Sequence, residues 1–276
     1  MARRKHLIET LKEIGSRQDT HIPLAETALL LAALQRPHAD LAPYHQHLAD
    51  LAVQAADRTS QADSIEMQTT ALRHVLAERH GYAGDRETYD DPRNANLIDV
   101  IDRRRGLPVS LGILYIHVAR AYGAEIVGID FPSHFLLRLT ARGQRVILDP
   151  FEEAKMMDAA DLRLRLKALR GEEAEIAPAH YQAVGSRDIL LRLQNNIKLR
   201  AISAGDLTQA IEILQSMTLI APDRGEIAWE MGVLHSRLGN VKTAIATLES
   251  FLAAGGGASG MAEVEDLLRR LRSGGH

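Results

Sequence analysis

Three side chains in one stretch of this sequence are of the types that move protons and attack carbonyl carbons. Ser110 stands in the run Gly106-Leu107-Pro108-Val109-Ser110, His134 follows Phe131-Pro132-Ser133, and Asp149 closes Val146-Ile147-Leu148. Serine, histidine and aspartate in this order supply a nucleophile, a general base and the acid that fixes the base's tautomer. Ala141-Arg142-Gly143 reads as a short hairpin loop, and pairing two strands across it sets residue 134 opposite the region 149–151. His134 and Asp149 are therefore expected to be neighbours, an arrangement that supports a positive imidazolium. The same residues have a plainer reading: His134 and Asp149 as turn residues at strand ends, and Ser110 as a helix cap.

The elements that must position them can be read from punctuation and periodicity. Pro108 suits the first turn of a helix, and Val109 to Tyr122 is apolar on nearly every side before Gly123 closes it, which predicts a buried helix. Ser110 falls in its first turn, where backbone N–H groups favour negative charge, although no Gly-x-Ser-x-Gly elbow surrounds it. Before it, Asn96 (or Asn94) can cap a helix with an apolar face of Leu97, Val100 and Ile101, and Gly106 is expected to end it in the left-handed conformation. Strands are expected over 125–129, 134–140 and 145–148, with Pro150 breaking the last. Residues 5–81 read as successive helices, including one from Gln61 to His80, and 81–91 as a loop without strand signal. Residues 159–170 and 186 onward are again helical.

The C-terminal third carries a repeat. Gly205 and Gly239, Ala210 and Ala244, Ile211 and Ile245, and Leu214 and Leu248 are each 34 residues apart. That is the period of a tetratricopeptide helix-turn-helix array, in which small residues such as Gly232 allow close helix crossing. Pro222 closes the first unit, Gly256 stands where the second closing proline would be, and Met261 to Leu271 is expected to cap the stack with a polar outer face. In this register Arg192, Asn195 and Leu199, with Glu226, Trp229, Val233 and Arg237, would line the concave side. Trp229 is the sole tryptophan, a residue type enriched in binding hot spots, though it could equally pack between repeats.

Composition narrows the function classes. The absence of cysteine excludes disulfides, thiolate metal sites and thiol catalysis together. A formal net charge of -3 argues against a dedicated nucleic-acid binder. The histidines lack metal-ligand spacing: His45 and His47 point to different sides of a helix, and no His-Glu-x-x-His occurs. Neither metal nor cofactor is expected. His117 is expected to be a satisfied polar group at one edge of the buried helix. The basic runs Arg103-Arg104-Arg105 and 161–170 are interleaved with Asp99, Asp102 and Asp161 and read as solvated helix faces. The most apolar segment, Leu24 to Leu34, is about half of a membrane span, and the N-terminus has no secretory pattern, so a cytoplasmic location is expected.

These motifs resemble the SirB-type family, a branch of the transglutaminase-like superfamily with C-terminal tetratricopeptide repeats. The family text of Asn with Leu-x-x-Val, then Arg-Arg-Gly-Leu-Pro-Val-Ser-Leu, Pro-x-His-Phe-Leu and Leu-Asp-Pro-Phe stands here at Asn96 to Val100, Arg104 to Leu111, Pro132 to Leu136 and Leu148 to Phe151. The resemblance implies an α+β fold: a helical N-terminal region with a papain-like core of one buried helix and a three- or four-stranded antiparallel sheet, followed by all-α repeats. Domains are expected over 1–180 and 186–276. It also implies that His134 and Asp149 occupy the base and acid positions of a Cys-His-Asp triad whose cysteine, near Pro108 or Ser110, is absent.

Three functions follow as expectations. The first is an interaction or regulatory scaffold that binds a protein or peptide through Arg192, Asn195, Glu226, Trp229 and Arg237. The second is a hydrolase or acyl-transfer enzyme using Ser110, His134 and Asp149, and the third a small-ligand or metal sensor that uses the cleft around His134.

Overall fold

Helix Pro108–Ala121 (α6 in chain order) is the element around which its unit is built, because all but three of its side-chain positions are apolar and nearly every residue from Pro108 to Ala119 is buried. The structure, a computed structural model, describes residues 2–59, 64–253 and 261–274; Gln61 and Gly256 lie outside the described residues. Contacts divide the chain into two units, Gln18–Leu193, and Met1–Arg17 together with Gln194–His276. The N-terminal helix Ala2–Gly15 (α1) thus groups with the C-terminal helices, whereas the sequence suggested that it belonged with the sheet.

In the unit Gln18–Leu193, helices Leu24–Gln35 (α2), Ala42–Thr59 (α3), Ile65–Arg73 (α4) and Leu97–Arg103 (α5) precede α6. Asn96 caps α5 by accepting from the N–H groups of Ile98 and Asp99, as expected from its side chain. Its other end differs from expectation. Arg104 takes the left-handed conformation at φ 57, and Gly106 instead joins a two-residue parallel ladder in which Ala83–Gly84 (β1) pairs with Arg105–Gly106 (β2). Gly106 is small for a packing reason, since a Cβ there would lie 2.6 Å from Ser110 Oγ.

After α6 come Glu125–Phe131 (β3), His134–Ala141 (β4), Gln144–Asp149 (β5) and Lys155–Met157 (β6), then helix Ala159–Arg170 (α7) and Ala183–Val184 (β7). The sheet has five antiparallel strands in the order β6-β5-β4-β3-β7, more than the three or four expected, because β6 and β7 are too short to show alternation. Arg142 (φ 49) and Gly143 (φ 78) form the two-residue turn between β4 and β5, a backbone shape that matches the strand twist. The sheet has two covered faces. Phe135 and Leu137 meet α6, where a Cβ on Gly112 would come within 2.5 Å of the Phe135 ring. Ile129, Phe131 and Leu136 turn the other way and cluster with Leu162 and Leu166 of α7.

In the other unit, the end of Ser186–Ser203 (α8) is followed by Leu207–Ile220 (α9), Gly225–Arg237 (α10), Val241–Ala253 (α11) and Met261–Arg272 (α12). Residues 34 apart play equal parts: Gly205 (φ 78) and Gly239 (φ 73) turn the chain, and Ala210, Ala244, Leu214 and Leu248 are fully buried. Gly232 lets α10 and α11 approach, since a Cβ there would lie 2.5 Å from Leu248. The last helix buries Val264 and Leu268 and exposes its charged residues.

A Cβ on Gly15 would collide with the carbonyl oxygen of Leu219 in α9. Gly15→Ala is expected to destabilise the chain by about 1–3 kcal/mol through overpacking, measured by urea unfolding.

Candidate functional site

Two of the three catalytic candidates meet. His134 is the first residue of β4, delivered by the Pro132–Ser133 turn in which Ser133 adopts φ 55. Asp149 is the last residue of β5 and caps the following turn. The register that pairs Leu137 with Leu148 brings His134 Nε2 to 2.9 Å from Asp149 Oδ1. Asp149 is fully buried and accepts two further hydrogen bonds, from the Phe151 N–H at 2.9 Å and from Arg165 Nη2 of α7 at 2.9 Å. Burial alone would raise its pKa; the hydrogen bond and charge of His134, the Arg165 guanidinium and the Phe151 N–H outweigh that and hold the carboxylate below its ordinary range.

With Nε2 directed at Asp149, the imidazole's other nitrogen has no hydrogen-bond partner among the described residues, and 12% of the His134 side chain stays exposed. Phe151 sets its ring at 6.3 Å and nearly perpendicular to that of His134, and Tyr89 approaches Phe151 in the same edge-on manner at 5.9 Å. Arg86 lies 6.0 Å over Phe151 and pairs with Glu152. The arrangement is an aspartate-oriented imidazole at a partly open rim, competent to accept or donate a proton.

Ser110 is not brought to this pair. Its side chain is completely buried, and Oγ donates to the carbonyl oxygens of Asn94 (2.7 Å) and Leu107 (3.0 Å). Helix α6 packs on the Phe135 and Leu137 face of β4, whereas Leu136 turns to the face bearing α7. The expected serine nucleophile is therefore replaced by a helix-start serine that ties α6 to the Asn94 carbonyl, which also accepts from the Leu107 N–H at 3.1 Å.

The candidate binding residues divide as well. Arg192 pairs with Asp130 of β3 and donates to the His134 carbonyl oxygen at 3.0 Å, so it serves the sheet and does not line a repeat groove. Trp229 is half-buried against the cluster of Leu248, Phe251, Val264 and Leu268. Asn195 is half-buried and its Oδ1 lacks a partner among the described residues. Glu226 and Arg237 are exposed, as is Leu199. Beside them Lys198 is buried and pairs with Glu230. Among the described residues no cluster of histidines and carboxylates could hold a metal ion.

The pattern of the transglutaminase-like superfamily matches residues 42–195, over half of the chain. The chain belongs to that superfamily. A UPF0162 protein of Xylella fastidiosa (strain Temecula1) is 28% identical over 249 residues, covering 89% of each chain. A UPF0162 protein of Vibrio cholerae is 30% identical over 230 residues, covering 83% of this chain and 85% of its own. Human F-box only protein 21 is 30% identical over 151 residues, which are 51% of this chain and 23% of that protein.

Two arginines of the basic runs are structural rather than solvated. Arg165 lies in the 161–170 run, yet it sits between the inward Leu162 and Leu166, a spacing that marks the sheet-facing side of α7. Arg103, also read as solvated, donates to Asp85 (2.9 Å) and Asn94 (2.9 Å) and pins the 85–94 loop. His117 behaves as expected, 3.1 Å from the Leu48 carbonyl.

Asp149→Ala is expected to cost about 3–5 kcal/mol in urea unfolding, because His134 and Arg165 lose their shared acceptor. Since Asp149 holds its proton less readily folded than unfolded, its contribution is present above about pH 4 and lost as pH falls below that. Asp149→Asn should accordingly flatten the acid limb of stability against pH. Ser110→Ala should cost about 1 kcal/mol, the loss of one hydrogen-bonding hydroxyl.

Proposed function

We propose that this chain is a protein-interaction and regulatory scaffold: a transglutaminase-like domain that keeps the histidine and aspartate of a proton-transfer site without a nucleophile, joined to a tetratricopeptide-type array that binds a protein or peptide. One observation carries the reading. The sequence has no cysteine, and the hydroxyl nearest the start of the buried helix, Ser110, is fully enclosed and engaged with backbone carbonyls. Nucleophilic catalysis needs an activated atom within hydrogen-bond reach of its base, and His134 has none among the described residues.

Motif text supports a place in the SirB-type branch, and the 34-residue equivalence of Gly205 with Gly239 and Leu214 with Leu248 supports the array. The recurrence of about half of this chain within an F-box only protein is in keeping with a domain used alongside others. No helix among the described residues is long and apolar enough to cross a membrane; the working location is the cytoplasm. The exposed Glu226 and Arg237, with Leu199 nearby in the register, are the contact residues of choice, while Trp229 supports the array from within.

Affinity capture with the full chain should retain a specific protein. Glu226→Lys with Arg237→Glu should weaken capture at least roughly tenfold, about 1.4 kcal/mol, while His134→Ala leaves it unchanged. Loss of capture in His134→Ala with retention in the double variant would refute the assignment of the contact to the array.

A further inference from the structure

Away from the His134 rim, four side chains converge on the end of α5. His47 Nε2 of α3 lies 2.7 Å from Arg104 Nη1 and 2.8 Å from the Tyr82 hydroxyl. Arg104 also donates to that hydroxyl and stacks its guanidinium 4.7 Å from the Tyr82 ring centre. His80 sets its ring at 5.3 Å and edge-on to His47, with its own Nε2 2.9 Å from Gln54 Oε1. Tyr82 is almost wholly buried.

The protonation state of His47 follows from donor counting. A guanidinium only donates hydrogen bonds, so Nε2 of His47 must present a lone pair, and the ring is neutral with its proton on Nδ1. A second proton would set an N–H against the Arg104 N–H and place two cations in contact. The groups facing this ring decide whether that charge could be absorbed. His80, in the segment that follows α4, and Arg104 both oppose it. Asp50 of α3 favours it weakly, and Asp102 of α5 is already engaged by Arg36 (3.2 Å) and Tyr44 (3.0 Å). Burial, Arg104 and His80 accordingly hold His47 down to about 4, and burial with Arg104 and Arg79 lowers His80.

We propose that His47, Tyr82 and Arg104 form an acid-released latch, in which protonation of His47 frees Arg104 and opens the ladder between residues 83–85 and 104–106. Arg104 is the natural release point. It is held in a left-handed conformation that a residue with a Cβ adopts reluctantly, and its carbonyl accepts the Ala83 N–H at 3.1 Å. The ladder's other bond runs from the Asp85 N–H to the Gly106 carbonyl at 3.2 Å, one residue before the Leu107-Pro108 start of α6. Opening it loosens the approach to the helix that supports the sheet, and requires nothing of His134 or Asp149.

Hydrogen exchange of the full chain followed by NMR tests the latch. Between about pH 6.5, the ordinary histidine value, and pH 4.5, protection of the Ala83 and Asp85 amides, corrected for intrinsic rates, should fall roughly tenfold per pH unit. The Ile113 and Leu114 amides inside α6 should stay protected. His47→Gln, which keeps a neutral acceptor for Arg104, should remove the slope. Nitrogen shifts of the wild-type imidazoles provide a check that needs no variant: His47 should be the neutral Nδ1–H form at pH 7 and titrate well below the ordinary range. Constant protection of Ala83 and Asp85 across this window, an unchanged slope in His47→Gln, or a His47 that carries its proton on Nε2 would overturn the proposal.

Discussion

A carboxylate with no access to water must be given donors, and the ones supplied to Asp149 determine how the sheet end is assembled. One comes from His134 on the neighbouring strand, one from the Phe151 N–H of its own turn, and one from Arg165 on the covering helix. Each fixes a different element, so the strand register, the turn after β5 and the placement of α7 are all conditions for keeping one charge buried. The orientation of His134 and the edge-on Phe151 follow from that assembly.

The hairpin arithmetic that placed His134 beside Asp149 was legible because a two-residue turn fixes register, and register fixes which side chains meet. Helix starts were legible where a side chain caps them, as at Asn96, or where proline sets φ, as at Pro108. What escaped was set by partners distant in sequence. The Ala83–Gly84 strand exists only because Arg105–Gly106 lies beside it, and two residues carry no period. Arg104, not Gly106, takes the left-handed turn because Tyr82 and His47 hold its side chain, a compensation that no local rule encodes. Arg165 reads as a solvated charge and Arg192 as a contact residue of the repeats, and both become structural only once Asp149, Asp130 and the His134 carbonyl are in place.

The 34-residue spacing is legible through its small and large residues. Periodicity identifies which positions are buried, and it did so at Ala210, Leu214, Ala244 and Leu248. It does not say which half-exposed residue supports a neighbouring helix. Trp229 contributes apolar area to the Leu248 and Phe251 cluster, and Arg192 belongs to the sheet unit, whereas Glu226 and Arg237 stay exposed.

The claim on which the account turns is that a superfamily fold keeps its base and acid here without a nucleophile. Intact-mass spectrometry of the full chain after incubation with a fluorophosphonate probe tests it most directly. The expected mass at neutral pH is that of the unmodified chain. A stoichiometric adduct mapped to Ser110, and abolished in His134→Ala, would contradict it.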